Sequence, residues 1–398
     1  MLWNRISPRP RGLNRRGLVQ LVHAKDVSEQ PLFQLLGTQH EDGIATTQHE
    51  ALQLYQSMVR VNVMDRVFYD AQRQGRISFY MTSLGEEASV VASASGLDSK
   101  DEVFSQYREQ GVLAWRGFTL DQFANQLFGN VEDLGKGRQM PVHYGSSKLH
   151  FQTISSPLAT QLPQAAGAAY ALKKEGKQIA CCYFGEGAAS EGDFHAGMNF
   201  AATLGCPVLF FCRQNGFAIS TPASEQSKGS ICHRATGYGM SSIRVDGNDA
   251  FAVQAATRHA RAHILEHQAP VLIESVSYRV GHHSTSDDST RYRPIEEIEQ
   301  WRQRNPLDRL KSFLTKREWI TEEGDAQLKQ AELDQVILAL GRAERRRKPE
   351  LMRSVFDDVF HERTPALERQ ASELRAHLQD YPLDDEDDEH EEEQGKKD

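Results

Sequence analysis

The pattern of hydrophobic and polar positions first predicts a long amphipathic helix over residues 47–75. Thr47 and Glu50 form a plausible capping box at its start, and Gly75 is placed to end it. The apolar residues expected on its buried face are Leu54, Met58, Val61 and Phe68.

Two further helices are predicted before the first clear strand. Ser83 and Glu86 form a second possible capping box, ahead of a small-residue helix that runs through Ala94. Residues 158–174 also read as a helix, with Pro163 early and a run of Ala and Gly that permits close packing.

Three short apolar runs, at residues 179–184, 207–212 and 270–280, predict buried strands. Because the strands alternate with helices, we expect an α/β fold with a parallel sheet flanked by helices. A polar cluster follows each strand: Gly185-Glu186-Gly187, Arg213-Gln214-Asn215-Gly216 and Gly281-His282-His283-Ser284. Ligands of open α/β sheets bind beyond the carboxyl ends of the strands, so these clusters are the predicted site.

After Pro294 the chain becomes helical and charged, with helices expected at residues 322–347 and 366–379. Residues 384–393 are all acidic except His390, and such a tail is too charged to pack. At the other end, residues 1–25 contain six Lys or Arg residues and no acid, which is typical of a mitochondrial transit peptide. A disordered basic tail is the alternative.

The predicted organisation follows from these boundaries. It comprises a transit peptide, an N-terminal arm and helix, a cofactor-binding domain, a helical C-terminal extension and an acidic tail, at residues 1–25, 26–80, 81–310, 311–380 and 381–398.

Composition excludes several classes of protein. The formal net charge of −9 is concentrated at the C-terminus, and the middle of the chain lacks the basic bias of a nucleic-acid binder. No apolar run approaches the roughly 20 residues of a membrane-spanning helix. The five cysteines form no C-x-x-C pair, so neither a disulfide framework nor a zinc site is expected.

The most informative motif is the G-x-G at residues 185–187, with Asn215 thirty residues after Gly185. Mg²⁺ prefers oxygen ligands and keeps phosphate oxygens among them. Glu186 can supply a carboxylate, Asn215 an amide oxygen and Phe217 a backbone carbonyl, while a helix beginning near Ala188 would direct N–H groups at phosphates. From residues alone, two tight turns with a surface carboxylate remain an alternative.

Longer stretches resemble one family, the alpha subunits of branched-chain 2-oxoacid dehydrogenases, from about residue 60 to about residue 312. The matching segments are GRISFYMT (75–82), QYRE (106–109), GKGRQMPVHYG (135–145), ISSPLATQ (154–161), YFGEGAASEGD (183–193), SIRVDGND (242–249) and GHHSTSDDS (281–289). The resemblance implies the thiamine-diphosphate-binding fold, with thiamine diphosphate, Mg²⁺ and K⁺ as cofactors.

The resemblance also implies roles for individual residues. The cofactor contacts would be Gln106, Tyr107, Arg108, Ser156, Leu158, Glu186, Gly187, Ala188, Arg213, Asn215 and His283. The K⁺ ligands would be Ser155, Pro157, Thr160 and Gln161, although sequence alone allows a helix N-cap there. His283 would be the catalytic residue, facing the 2-oxo group, and Ser284 and Ser289 would be phosphorylation sites. An unmodified surface loop is the alternative for the last two.

Family members work as two-alpha, two-beta heterotetramers in the mitochondrial matrix. The resemblance therefore implies three kinds of partner: a beta subunit, a lipoyl-bearing acyltransferase core, and a regulatory kinase and phosphatase. It implies neither a nucleic acid nor a membrane as a partner.

Three departures from the family pattern indicate divergence. Glu186 replaces the Asp of the wider thiamine-diphosphate fingerprint, Gln214 stands where Asn is usual, and Phe217 replaces Tyr. The segment 227–236 also diverges. Two alternatives therefore stay open: a pyruvate dehydrogenase alpha subunit, and a catalytically silent paralogue that binds the beta subunit.

Overall fold

The computed structural model describes residues 29–382. The predicted transit peptide and nearly all of the predicted acidic tail lie outside the described residues.

Five parallel strands form the central sheet. They are β1 (Glu102–Phe104), β2 (Ala180–Gly185), β3 (Val208–Gln214), β6 (Ser241–Asp246) and β7 (Val271–Val276). Their order is β1-β2-β3-β7-β6, and each neighbouring pair is parallel. The three predicted strands are therefore the three central ones. A short antiparallel hairpin, β4 (Phe217–Ala218) with β5 (Thr221–Pro222), follows the end of β3.

Helices account for most of the remaining structure. Their bounds are α1 (Gln48–Arg73), α2 (Glu87–Ser95), α3 (Gln110–Trp115), α4 (Leu120–Phe128), α5 (Gln161–Leu172), α6 (Gly192–Leu204), α7 (Ala223–Gln226), α8 (Ile231–Gly237), α9 (Ala250–His267), α10 (Ile295–Arg302), α11 (Pro306–Lys316), α12 (Glu322–Glu344), α13 (Leu351–Phe356) and α14 (Pro365–Asp380). The predicted C-terminal helices correspond to α12 and α14. None of the helices in residues 29–382 has the length and apolarity needed to cross a membrane.

The sheet separates two apolar layers, and β2 shows how one strand serves both. Cys181 and Tyr183 pack into the layer that contains α1 and α2. Cys182 and Phe184 pack into the opposite layer, with α5 and α6. This alternation is the period of two expected of a strand that is buried on both faces. All five cysteines are free and buried.

The long helix α1 matches its predicted bounds and buried face, and only one of the two hydrogen bonds of the predicted capping box forms. The hydroxyl of Thr47 accepts a hydrogen bond from the backbone N–H of Glu50 at 3.2 Å, and Gly75 follows the helix with φ +78°. The four apolar residues predicted for its inner face are all fully buried. The helix packs against both α12 and α2, so it links the C-terminal helices to the helices beside the candidate site.

The predicted capping box of Ser83 and Glu86 is wrong. Ser83 instead donates its hydroxyl to the buried carboxylate of Asp65 on α1, at 2.8 Å. Glu86 is the residue before α2, but its side chain makes no cap hydrogen bond and turns toward the end of β3. Tertiary partners therefore replace the local pairing that the spacing suggested.

Helix α3 packs unusually close to α2 at Gly111. A Cβ atom built on Gly111 would lie 2.5 Å from Cγ2 of Val90 and 3.0 Å from Cγ2 of Val91. This contact fixes α3 and thereby the 106–109 loop that precedes it.

We predict that Gly111→Ala destabilises the fold by about 1–3 kcal/mol, because the added methyl overpacks a filled interface. Gly167→Ala in α5 is the matched control, since nothing lies within 4 Å of the added Cβ. The control should be neutral or stabilising by up to about 1 kcal/mol, through helix propensity. Denaturant unfolding of both variants measures the difference, and equal effects would contradict the packing argument.

Candidate active site

Glu186 and Asn215 meet at the carboxyl ends of β2 and β3. Glu186 follows the last residue of β2, and Asn215 follows the last residue of β3. The backbone N–H of Asn215 donates to Oε2 of Glu186 at 3.3 Å. Because β2 and β3 are neighbours in the sheet, one crevice contains both side chains.

The oxygen atoms at this point suit a hard cation. Oε1 of Glu186 is buried and has no hydrogen-bond partner, while Oδ1 of Asn215 accepts only from the N–H of Phe217, at 3.3 Å. The carbonyl of Phe217 accepts from Nη1 of Arg279 at 3.1 Å and keeps a second lone pair. Burial, with the negative charge of Glu86 nearby, raises the pKa of Glu186.

One carboxylate, one amide and one carbonyl form an oxygen donor set of the kind that Mg²⁺ takes when phosphate and water complete its shell. No cluster of three or more His, Cys, Asp or Glu residues that could bind a metal occurs in the part of the chain described. A single-carboxylate site is consistent with that finding. The residues therefore fit a magnesium-bound diphosphate.

Arg213, expected near the phosphates, lies between two buried carboxylates. Its Nη1 donates to Oε2 of Glu86 at 2.6 Å, and its Nε donates to Oε1 of Glu109. All three side chains are at most 2% exposed. Both contacted edges of the guanidinium are thus occupied by this chain, and the phosphate contact remains a prediction.

The glycine turn after β2 is close-packed. Oε1 of Gln106 accepts from the N–H of Gly185 at 2.6 Å, and a Cβ on Gly187 would lie 2.7 Å from Cβ of Ala218. The α-helix expected near Ala188 is instead a 3-10 turn over Ala188–Ser190, and α6 begins only at Gly192. The structure therefore does not support the prediction that a helix beginning near Ala188 directs its N–H groups at a phosphate.

Arg108 and His283 are joined directly. Nη2 of Arg108 lies 3.0 Å from Nδ1 of His283 and donates to the carbonyl of His283 at 2.6 Å. The ring of Tyr107 stands edge-on to the His283 ring, with centroids 6.2 Å apart. The 106–109 loop and the segment after β7 thus meet over the crevice.

The contacts determine the protonation of His283. A guanidinium can only donate, so Nδ1 must be the lone-pair nitrogen and Nε2 carries the proton. Burial, together with the positive charges of Arg108 and Arg279, lowers the pKa of His283 to about 3. The imidazole is therefore neutral near pH 7 and presents Nε2–H as a donor.

The segment predicted to bind K⁺ is mostly exposed, including Ser155 and Leu158. The hydroxyl of Thr160 donates to the carbonyl of Pro157 at 3.1 Å, and Nε2 of Gln161 donates to the carbonyl of Tyr183 at 3.1 Å. The hydroxyl of Ser156 lies 2.7 Å from Nε2 of His143, a buried partner that the sequence reasoning did not single out.

The two predicted phosphorylation sites are buried in this conformation. Ser289 is 2% exposed, and its hydroxyl lies 2.9 Å from Nδ1 of His282 and accepts from Nη2 of Arg293 at 2.8 Å. Ser284 is 9% exposed, and its hydroxyl lies 3.2 Å from that of Ser286. A kinase could reach either hydroxyl only after the loop opens.

Sequence reasoning also missed Glu86, Glu109 and Arg279. The spacing from Ser83 predicts a helix cap for Glu86, and Glu109 stands out only as part of the segment QYRE (106–109). Arg279 lies inside the predicted third strand, where it is one of two charged residues, with Glu274, and that charge is the available signal. Each is buried and charged, and each needs partners that are distant in the sequence.

Comparisons with known proteins agree on one family. A family model described as "Dehydrogenase E1 component" matches residues 55–352. The human 2-oxoisovalerate dehydrogenase subunit alpha, mitochondrial, is 54% identical over 342 residues, or 84% of this chain and 77% of the relative. The protein of that name from Caenorhabditis elegans is 49% identical over 373 residues, 91% and 86% respectively. Subunit alpha 2 from Arabidopsis thaliana is 47% identical over 379 residues, 92% and 80%.

We predict that His283 does not titrate between pH 5 and 8. Since its folded pKa lies below the unfolded value of about 6.5, its contribution to stability is present above that pH. The contribution is lost as the pH falls toward 3, by up to about 1.4 kcal/mol per pH unit. Histidine ring NMR, assigned with His283→Asn, tests the first statement, and the pH dependence of unfolding of the two proteins tests the second. A signal that titrates near 6.5 and disappears in the variant would contradict both.

Proposed function

The chain belongs to the dehydrogenase E1 component family, and we propose that it is the alpha subunit of a branched-chain 2-oxoacid dehydrogenase of the mitochondrial matrix. The reaction is the oxidative decarboxylation of branched-chain 2-oxoacids, with transfer of the acyl product to a lipoyl group. The observation that carries the proposal is the buried, unpartnered oxygen of Glu186 beside Asn215, at the ends of adjacent strands.

Thiamine diphosphate, when bound, supplies the electron sink for decarboxylation. In this chain Glu186, Asn215 and the carbonyl of Phe217 would hold Mg²⁺, and Arg108 with Tyr107 would hold the diphosphate. Gly187 leaves no room for a side chain beside Ala218, so the glycine lets the turn after β2 pack directly against β4.

His283 would orient the substrate. With Nδ1 turned to Arg108, its Nε2–H can donate to the 2-oxo oxygen or the carboxylate of a bound 2-oxoacid. Because the pKa is low, the ring stays neutral and donates without first gaining a proton. Arg108 would thus connect the diphosphate to the substrate-facing ring.

The proposal includes partners. The relatives are named as alpha subunits, and we infer a beta subunit for this chain, in an alpha2beta2 tetramer that serves a lipoyl-bearing acyltransferase core. The carboxylate that activates the aminopyrimidine would come from the beta subunit. This chain alone would therefore be inactive.

Two further features belong to the same proposal. A K⁺ ion would be held by Ser155, Pro157, Thr160 and Gln161, in a segment that turns sharply at Ala159 (φ +67°). A regulatory kinase would phosphorylate Ser284 and Ser289, and a phosphatase would remove the phosphate groups. A phosphate adds about −1.5 to −2 charges, and at either buried hydroxyl it would displace the loop.

Two alternatives differ in measurable ways. A pyruvate dehydrogenase alpha subunit would prefer pyruvate, whereas the names of the relatives indicate 2-oxoisovalerate as the substrate. A silent paralogue would assemble with the beta subunit but bind no cofactor, and the retained Glu186, Asn215, Arg108 and His283 argue against it.

We predict that the chain co-assembled with a beta subunit binds thiamine diphosphate only with Mg²⁺ and turns over 2-oxoisovalerate faster than pyruvate. Glu186→Ala should weaken cofactor binding by at least about tenfold, since it removes the only charged metal ligand. Calorimetric titration of the assembly with Mg²⁺ and the cofactor, followed by the two-substrate comparison, measures these outcomes. An assembled native protein that binds no cofactor would favour the silent alternative.

A further inference from the structure

Glu86 lies beneath Asn215 in the candidate active site and has no contact with solvent. Its side chain is fully buried. Oε2 accepts from Nη1 of Arg213 at 2.6 Å, and Oε1 accepts from Nδ2 of Asn215 at 3.0 Å. One carboxylate thus joins a buried cation to a residue of the magnesium site.

This contact determines which way the Asn215 amide faces. A carboxylate can only accept, so the amide nitrogen must point at Glu86 and Oδ1 must point away from it. The flipped amide would place its oxygen against a buried carboxylate and leave two acceptors unpaired. Oδ1 is the atom that a Mg²⁺ ion needs.

Arg213 holds the side chain of Glu86 in place. Its guanidinium can only donate, and both side chains are buried, so Nη1 of Arg213 fixes the far oxygen of Glu86. A neutral or mobile side chain at position 86 could not impose the same orientation on Asn215.

We propose that Glu86 is a positioning residue of the magnesium site: held by Arg213, it orients Asn215 so that Oδ1 faces the cation. The inference rests on the proposed function and adds to it a residue that does not touch the metal. It predicts that the donor and acceptor of the Glu86–Asn215 hydrogen bond can be exchanged.

Two single variants and their combination test the exchange. In Glu86→Gln, the single side-chain oxygen cannot accept from both Arg213 and Asn215. The new amide N–H group must then face an N–H group of one of these two residues. In Asn215→Asp, two carboxylates face each other. In the double variant, the amide oxygen at position 86 can accept from Arg213, while the amide N–H at that position donates to the carboxylate at position 215. The double variant also keeps the native net charge.

The measurement is the Mg²⁺ concentration that half-saturates thiamine diphosphate binding to the chain assembled with a beta subunit, by titration calorimetry. We expect each single variant to raise it by at least about tenfold, since a charge-assisted hydrogen bond is lost. The double variant should return to within roughly threefold of native. No turnover is needed for this measurement.

Glu87→Gln is the matched control. Glu87 is the next residue and is equally buried, but its carboxylate accepts from Asn62 Nδ2 at 2.7 Å and from Gly85 N–H at 2.9 Å. The control should lower the melting temperature without changing the half-saturating Mg²⁺ concentration. A change of similar size in both variants would mean that any buried charge near α2 matters, and the positioning role would be wrong.

The remaining outcomes are also decisive. Native protein that binds no cofactor with Mg²⁺ would overturn the proposed function itself. Two outcomes would overturn the positioning role alone. In the first, the native protein binds the cofactor and Glu86→Gln does not change the half-saturating Mg²⁺ concentration. In the second, both single variants raise that concentration and the double variant does not restore it. If Glu86→Gln fails to assemble, the comparison of Asn215→Asp with the double variant still tests the positioning role of Glu86.

Discussion

The architecture around the site depends on the buried pairing of Arg213 with Glu86 and Glu109. The side chain of Arg213 is buried because the residue lies on β3, the central strand of the sheet. A guanidinium there must have partners, and removal of one partner from a buried ion pair typically costs about 3–5 kcal/mol. Glu86 precedes α2 and Glu109 precedes α3, so the pairing holds both helices against the end of β3.

The same pairing influences the charge of the crevice. Arg108, Arg213 and Arg279 are buried there, and so are Glu86, Glu109 and Glu186. The three arginines and three glutamates balance one another in formal charge, and Oε1 of Glu186 lacks a hydrogen-bond partner. A divalent cation paired with a diphosphate would bring little net charge, so it could satisfy that oxygen without disturbing the balance.

Local sequence signals predicted the parts of this fold that depend on local rules. The period of α1 and the apolar runs of β2, β3 and β7 follow from burial, and the G-x-G turn and Asn215 lie at the strand ends where topology requires them. Strand β1 has only three residues, and edge strand β6 is half-exposed, so neither gave a strong apolar run. The pairing of Glu86 with Arg213 joins residues 127 positions apart, and the capping-box spacing of Ser83 and Glu86 suggested a local partner instead.

The segment after β7 links His283, the residue proposed to orient the substrate, to the proposed phosphorylation sites through a few contacts. His283 is held by Arg108 through its ring and carbonyl, and by Asp287, which accepts from its backbone N–H at 2.8 Å. Ser289 is held by His282 and Arg293 in the same loop. Any modification that expels Ser289 must break its bonds to His282, the residue next to His283. Displacement of the loop and loss of the His283 orientation would then be one event, because the two histidines are adjacent on a single short segment.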